Sequence, residues 1–385
     1  MIGVSGRTRG RVPGVVAALL ATVLLSGCGD DGYEPSGPFR PLPEGAPPQV
    51  GPPTSEAPRP GQPQEPGSDE DAGDPNVVAT DLEVPTPLVL MPDGTAVVGE
   101  RDTGRLVQVF PDRSAPRELM TVPGLDTSGD GGLLGLAVSP TYAEDGLFYA
   151  YITTATDNRV VRFPLDGTPN PVFTGIPRGA THNGGGLVFG VDGHLYVGTG
   201  DTGDPAAARS RDSLAGTVLR IDVFGRPAGP DAVFTRGHRN VTAICLHGEL
   251  SMFATDEGDD GPDELNLLSG GSDYGRTGTA PVVEILDEEG GLGGCATIGE
   301  VAFLGALDGE RVHVVPLEEP QDGTPPQDPE ELLGGQYGRL RTVVVDAEGA
   351  LWITTSNRDG LGSPDEDDDK VLRILPPSSG AESPL

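Results

Sequence analysis

The chain has 385 residues and a formal net charge of −34 at neutral pH. A charge of this sign repels phosphate backbones and anionic lipid surfaces, so nucleic acid is a poor partner. With 59 Gly and 39 Pro, the sequence is interrupted too often for long helices. Its short β-branched or Leu-rich runs suit many short strands instead, so we expect an all-β protein.

The N-terminal segment has the features of an export signal. An arginine-rich head precedes an apolar stretch at residues 15–25, which is too short to cross a bilayer as a stable helix. The stretch runs into Leu-Ser-Gly and then Cys28, an order that resembles the lipobox of bacterial lipoproteins. We predict residues 1–28 as a lipoprotein signal peptide and Cys28 as the lipidation site. The protein would then be exported and lipid-anchored to the cell membrane, facing the periplasm or the exterior.

Residues 29–75 form a predicted linker. They are dominated by Pro, Gly, Ser and acidic residues and contain hardly an apolar cluster. A segment of this composition buries too little apolar surface to offset the entropy lost on ordering, so we expect it to be disordered. Its prolines should stiffen the chain toward the polyproline II conformation. The linker is expected to hold a folded domain away from the membrane.

From residue 76 onward one pattern recurs, in which an apolar strand, an Asp-Gly type turn and a second apolar strand follow each other. Clear copies lie at 87–98, 187–197 and 342–353, with a weaker copy at 241–253. Asp-Gly steps supply the positive φ that a hairpin turn needs. The copies are spaced at loose multiples of ~50 residues, near the length of a kelch-type blade, so about 300 residues give roughly six blades. We predict a six-bladed β-propeller over 76–377 and a tail at 378–385, with a pair of β-sandwiches as the alternative.

His182 lies in a glycine-rich loop directly before one of these strands. Glycines in the loop would let a bound ring approach the backbone, and a histidine can act as general base near neutral pH. An exposed or simply hydrogen-bonded histidine is the alternative interpretation.

Two further segments carry arginines that suit an anionic ligand. Arg239 offers a planar fork for carboxylates or quinone oxygens, and Asn240 offers both a donor and an acceptor. Arg339 and Arg341 are two positions apart before a strand, so their side chains are expected on one face. Structural pairing of these arginines with carboxylates is the alternative.

Two segments are strongly acidic. Residues 256–264 are turn-rich and differ from the EF-hand pattern, yet carboxylates and carbonyls in an irregular loop suit Ca²⁺. Residues 365–369 are predicted as a solvated loop. Cys245 and Cys295 can form a disulfide in an oxidising compartment, but the sequence leaves the distance between them open.

Taken together and in this order, these segments resemble the glucose/sorbosone dehydrogenase family, which includes soluble glucose dehydrogenase and aldose sugar dehydrogenase. Members are six-bladed propellers that use pyrroloquinoline quinone (PQQ) and Ca²⁺. The resemblance covers about 77–375, and its segments are 99–106, 131–137, 181–186, 237–240, 263–275 and 338–360. It implies oxidation of an aldose sugar to its lactone, with electrons passed to an acceptor that the sequence does not name.

The resemblance also implies roles for individual residues. His182 would take the proton from the anomeric hydroxyl of the sugar, and Arg239 would polarise the quinone carbonyl. The remaining cofactor-binding positions would be Asp130, Asn240, Arg339 and Arg341. Carbonyls of Gly258 and Asp259 would reach the cofactor calcium. Glu264 and the Tyr274 carbonyl would belong to a separate structural calcium site.

The sequence departs from the family pattern at several positions, and two of them motivate an alternative function. Gly186 replaces an arginine that is common there, and Asp308 stands where a PQQ-binding lysine is typical. An aspartate at that position is expected to repel a quinone carboxylate. A ligand-binding propeller lipoprotein that has lost PQQ is therefore the alternative function, followed by a calcium-dependent, lactonase-type hydrolase.

Overall fold

The computed structural model describes residues 73–258, 261–275, 279–317 and 328–376. Their backbone pairs into six antiparallel sheets of four strands each, arranged as the blades of a propeller. The predicted six-bladed propeller is confirmed, and the alternative pair of sandwiches is wrong. The predicted signal peptide, Cys28, nearly all of the linker and the tail lie outside the described residues, as does Asp259.

The first strand, β1 (Val77–Ala79), belongs to the last blade. Blade 1 consists of β2 (Pro85–Leu90), β3 (Ala96–Glu100), β4 (Arg105–Val109) and β5 (Arg117–Thr121). Blade 2 consists of β6 (Leu133–Val138), β7 (Leu147–Thr153), β8 (Asn158–Pro164) and β9 (Asn170–Ile176), with helix α1 (Tyr142–Asp145) between its first two strands. Blade 3 consists of β10 (Leu187–Phe189), β11 (Leu195–Gly198), β12 (Thr217–Ile221) and β13 (Val233–Arg236), with helix α2 (Pro205–Ala208) inserted before β12.

Blade 4 consists of β14 (Val241–His247), β15 (Ser251–Asp256), β16 (Asp263–Leu267) and β17 (Val283–Ile285), followed by a 3₁₀ turn at Asp287–Glu289. Blade 5 consists of β18 (Leu292–Ile298), β19 (Val301–Ala306), β20 (Arg311–Pro316) and β21 (Glu330–Leu332). Blade 6 consists of β22 (Leu340–Val345), β23 (Leu351–Thr355) and β24 (Val371–Ile374), and β1 completes it by pairing with β24. No helix among these elements is long and apolar enough to cross a membrane.

The hydrophobic core is divided into clusters, each of which lies between two neighbouring blades. Trp352 of β23, for example, is fully buried and packs with Ala96 and Val98 of β3 across the boundary between blades 6 and 1. Burial of a large side chain of this kind stabilises a fold by roughly 2–3 kcal/mol. Because every blade buries both of its faces in this way, closure of the ring adds to the buried apolar surface.

The inner strands β2, β6, β10, β14, β18 and β22 surround a narrow central channel of about 100 Å³. They approach closely because glycines replace larger residues. A Cβ atom at Gly135 would overlap the carbonyl oxygen of Gly185, and one at Gly293 would overlap that of Arg341. The glycines therefore set the width of the channel.

The acidic segment 365–369 is not wholly a solvated loop, contrary to the prediction. Asp368 and Asp369 are 2% and 0% exposed. The Asp369 carboxylate accepts the backbone N–H groups of Val84 (3.2 Å) and Asn357 (2.5 Å), and Asp368 accepts from the Asn357 amide (3.0 Å). These carboxylates are buried because they satisfy backbone donors where blade 6 meets blade 1.

Cys245 of β14 and Cys295 of β18 form a disulfide, with their Cα atoms 5.6 Å apart. The bond joins the inner strands of blades 4 and 5, whose strands belong to separate sheets. It therefore links two blades that share no backbone ladder.

Replacing both cysteines by serine is expected to lower the free energy of unfolding by about 4 kcal/mol, because the bond closes a chain segment of 50 residues. Denaturant unfolding of the oxidised protein and of the Cys245→Ser/Cys295→Ser variant measures the difference. Wild-type protein unfolded in the presence of a reductant is the control and should match the variant. Equal unfolding free energies for oxidised and variant protein would contradict this expectation.

Candidate functional site

Most of the predicted polar residues lie at one end of the channel, where the inner strands begin. His182 comes shortly before β10, Arg239 and Asn240 directly precede β14, and Arg341 is the second residue of β22. We call this end the mouth, defined by the loops that carry His182, Arg239 and Asp359.

His182 is buried at the mouth and has a positive φ of 52°. Its ring nitrogen Nδ1 lies 2.7 Å from Oδ1 of Asp201, and its backbone N–H donates to Oδ2 of Asp130 at 3.3 Å. A carboxylate at Nδ1 favours the tautomer with the proton on Nδ1, which leaves Nε2 able to accept a proton. A left-handed backbone at a residue other than glycine costs free energy, so its surroundings must hold it.

The loop that follows His182 is held by buried side chains of blade 2. The hydroxyl of Tyr151 donates to the carbonyl oxygen of Asn183 (2.7 Å), and Asn158 Nδ2 donates to Asn183 Oδ1 (3.0 Å). On the other side, the Gly184 N–H donates to Oδ1 of Asn240 (2.9 Å). These contacts fix the histidine between blades 2 and 4.

Asn240 and Arg239 are fixed by one buried carboxylate. Oδ1 of Asp256 accepts the backbone N–H groups of Arg239 (2.8 Å) and Asn240 (2.7 Å), while Oδ2 lies 3.1 Å from Nδ1 of His238. The Asn240 amide also donates to Glu257 at 2.6 Å. Among the described residues, Asn240 uses its acceptor and one donor hydrogen, and its second amide hydrogen makes no hydrogen bond.

Arg339 is paired with two carboxylates. Its Nη1 lies 2.6 Å from Oδ1 of Asp308, and its Nε lies 2.8 Å from Oδ2 of Asp359. Burial opposes the charge on Arg339, but the hydrogen bonds and charges of the two partners outweigh it and raise the pKa. Asp308 is expected to repel a ligand carboxylate. Because Asp308 forms an ion pair with Arg339, the charges of both side chains decide how strongly that carboxylate is repelled.

Arg341 has a different environment from Arg339. Within the described parts of the chain, its guanidinium makes no hydrogen bond and no ion pair. Burial lowers the pKa of Arg341, and the charge of Arg101 acts in the same direction. Three carboxylates oppose this shift from a distance, those of Glu257, Asp359 and Asp130. A desolvated cation without a contacting counter-ion favours the binding of an anion.

Glu257 interacts with this cation through its charge, and the pKa of its carboxyl is raised. Burial raises the pKa of its carboxyl to about 7, and the charge of Asp263 adds to the effect. The charge of Arg341, the hydrogen bond from Asn240 and the charge of His182 act in the opposite direction. The mouth therefore contains an acid whose charge changes within the physiological pH range.

The predicted calcium ligands are spread over the loop after β15 and over strand β16. The Gly258 N–H donates to Asp263 Oδ1 (2.7 Å), and Glu264 accepts from Asn266 Nδ2 (2.9 Å). The Tyr274 ring stacks on His238, with the ring centres 4.6 Å apart. In the part of the chain that the structure describes, no group of three or more His, Cys, Asp or Glu side chains is arranged to hold a metal. The calcium ligands stay a prediction.

Sequence reasoning missed the carboxylates that position these residues, above all Asp201 and Asp256. A signal exists, because an acidic residue stands at or just after the end of the second strand in several blades. Glu100 ends β3, Asp201 follows β11 by three residues, and Asp256 ends β15. Alignment of the blades on each other would have found this position.

Comparisons with known proteins agree with the fold and show which family the chain is similar to. The family model named Glucose / Sorbosone dehydrogenase matches residues 82–284. The chain is 26% identical over 247 residues to quinoprotein glucose dehydrogenase B of Acinetobacter calcoaceticus, which is 52% of each protein, so it spans about half the length of this relative. The structure of PQQ-bound aldose sugar dehydrogenase from Streptomyces coelicolor is similar with a TM-score of 0.73 and 38% identity, covering 78% of this chain and 96% of that one. The apo aldose sugar dehydrogenase of Escherichia coli, at 21% identity and a TM-score of 0.68, shares the fold, with 78% and 99% covered.

The pKa of Glu257 predicts how stability depends on pH in metal-free buffer. Because the folded-state pKa is about 7 and the ordinary value is 4.5, the folded state binds this proton more tightly. The stabilisation is fully present below about pH 4.5 and is lost as the pH rises through about 7. The unfolding free energy of Glu257→Gln should therefore rise relative to wild type across this range.

Denaturant unfolding at a series of pH values measures this difference. Glu288→Gln, at an exposed position of the 3₁₀ turn, is the control and should run parallel to wild type. A difference between Glu257→Gln and wild type that does not change with pH would show that Glu257 does not titrate in this way.

Proposed function

Because the chain belongs to the glucose/sorbosone dehydrogenase family, we propose that it oxidises a sugar with PQQ as its cofactor. The observation that carries this proposal is the arrangement at the mouth. A histidine with its Nδ1 bound to Asp201 lies at the same end of the channel as Arg341, a desolvated arginine that contacts no carboxylate among the described residues, and the charges of both residues act on Glu257. The first group suits proton abstraction, and the second suits an anionic ligand.

The residues at the mouth fit a quinone that carries three carboxylates. Arg341 supplies a positive charge, and Asn240 retains one amide hydrogen for an oxygen of the ligand. Arg239 has its backbone N–H fixed by Asp256, so its side chain starts from a defined position. A site with this donor set binds an anionic, oxygen-rich ring better than a neutral one.

A bound quinone would supply the acceptor for the hydride of the sugar carbon. The protein supplies the proton transfer. Nε2 of His182 takes the proton of the reacting hydroxyl, and the Asp201 carboxylate at Nδ1 stabilises the imidazolium that results. Asp130 and the loop contacts of Asn183 hold the histidine backbone, so that the ring keeps its direction during the reaction.

The finer parts of the proposal rest on the sequence. The substrate is an aldose and the product its lactone, calcium binds near Gly258 and Asp259, and Cys28 attaches the protein to the membrane. Electrons then pass to an acceptor outside the chain. The carbonyls and carboxylates of the acidic segment 256–264 support the calcium site, since Ca²⁺ prefers oxygen ligands.

The test is an absorbance titration of the full-length chain in detergent with PQQ and Ca²⁺, followed by an aldose. A saturable quinone spectrum that is bleached by the sugar supports the dehydrogenase. A folded protein that binds no quinone at micromolar concentration would favour the ligand-binding propeller instead.

His182→Ala is expected to keep the quinone spectrum and to lose turnover by at least ~10²-fold, the scale of a lost general base. Dye reduction with an aldose measures turnover. The control is His194→Ala, since His194 also lies beside a carboxylate, Asp192 (3.3 Å), but in the turn before β11 at the opposite end of blade 3. Turnover of the His182 variant at the wild-type rate would remove this histidine from the mechanism.

Arg341→Ala is expected to raise the Kd for PQQ at least about 30-fold, because loss of one partner from a buried charge pair costs ~2 kcal/mol or more. The melting temperature of the ligand-free protein should stay the same or rise, since a desolvated cation has been removed. Quinone titration and thermal unfolding measure the two effects.

Arg220→Ala is the control for Arg341→Ala. Arg220 forms an ion pair with Asp192 (2.6 Å) at the end of blade 3 opposite the mouth, so its loss should leave the Kd unchanged. An Arg341 variant with wild-type affinity for the quinone would contradict the assigned role.

A further inference from the structure

Arg339, in the turn before β22, and Arg341, in β22, are not equivalent, because only Arg339 forms an ion pair with Asp308. We propose that Asp308 competes with the ligand for Arg339, so that it limits the affinity of the mouth for an anionic cofactor. This inference rests on the proposed function, because it concerns the same site and the same class of ligand.

Arg339 and its two partners differ in exposure. The side chains of Arg339 and Asp359 are 9% and 5% exposed, whereas that of Asp308 is 53% exposed. Asp359 is also fixed by its own contacts, because its Oδ1 accepts the N–H groups of Leu361 (2.8 Å) and Gly362 (3.2 Å). Asp359 is therefore a permanent partner of the guanidinium.

Asp308, in contrast, can leave the arginine at little cost. Within the described residues, the bond to Arg339 Nη1 is the only hydrogen bond of its side chain. Its backbone is held separately, by donation from its N–H to the carbonyl oxygen of Gly290 (3.1 Å). Water can solvate a half-exposed carboxylate that has turned away, so the loop need not move.

The competition follows from the charges. Arg339 with two carboxylates carries a net charge of −1, and Asp359 also acts on Arg341. A ligand carboxylate that approaches this group meets a donor that is already occupied. Removal of Asp308 leaves a neutral Arg339–Asp359 pair and makes Nη1 available for a charge-assisted hydrogen bond.

Asp308→Ala and Asp308→Asn are the variants that test this inference. Calorimetric titration of the ligand-free, full-length protein with PQQ, without sugar, should give a Kd about fivefold lower than wild type, the scale of one partly exposed ion pair. Thermal unfolding of each variant verifies that it is folded. Two variants are used because either one alone could disturb the turn.

Glu288→Ala is the matched control for charge. It removes one negative charge from an exposed position in the turn before blade 5, and no hydrogen bond or ion pair links its side chain to an arginine in the described residues. If the gain is due to the release of Arg339, this variant should bind PQQ with nearly wild-type affinity. A double variant, Arg339→Met/Asp308→Ala, should show no gain over Arg339→Met alone.

A second probe separates this inference from the proposed function. Benzene-1,2,4-tricarboxylate carries three carboxylates and no quinone. Tighter binding of this probe to the Asp308 variants, with no PQQ binding by any form, would keep the inference and remove the quinone from the site. Wild-type affinity of the Asp308 variants for both probes would overturn the inference, and PQQ binding by wild type would then leave the proposed function intact. An equal gain in Glu288→Ala would also overturn it, because the effect would be one of net charge.

Discussion

Buried carboxylates that accept backbone N–H groups hold the loops at the mouth. Asp256 accepts the N–H groups of Arg239 and Asn240, and Asp263 accepts those of Gly258 and Leu292, each at 2.7 or 2.8 Å. Loops between strands leave such donors without ladder partners, and a buried donor without an acceptor costs about 1–3 kcal/mol. The direction of each functional side chain depends on these bonds, because they fix the backbone from which the side chain starts. Part of the large negative net charge therefore comes from carboxylates that hold the backbone of these loops in place.

The charges at the mouth divide into two groups. One is neutralised within the protein, as for Arg339 between its two aspartates. The other is left without a contacting counter-ion among the described residues, as for Arg341, and it lies near an acid that titrates close to neutral pH, Glu257. Only the second group favours a charged ligand strongly, since a cation that already has two partners gains less from a third. Arg339 and Arg341 therefore differ in how strongly they favour an anionic ligand, although they are only two positions apart.

The fold could be predicted from the sequence, and so could the candidate residues that the structure places at the mouth, because both depend on local patterns. Repeated strand–turn–strand units indicate blades, and a histidine in a glycine-rich loop stands out against its neighbours. The pairing of Arg339 with Asp308 could not be predicted, since 31 residues separate them and no local pattern links them. The burial of Asp369 was missed for a similar reason. Its partners include Val84 at the other end of the domain, so an acidic run looked solvated.

The pairing of β1 with β24 also has a consequence for synthesis and export. Val77 pairs with Leu372, so the first and last strands of the propeller share one ladder. The last blade is incomplete until its C-terminal strand has emerged, and β1 must wait with an unpaired edge until then. Contacts of such long range are slow to form, because the whole intervening chain must be ordered first. A chain that is halted before β24 would therefore expose the backbone edge of its first strand, which makes it a natural substrate for chaperones and proteases.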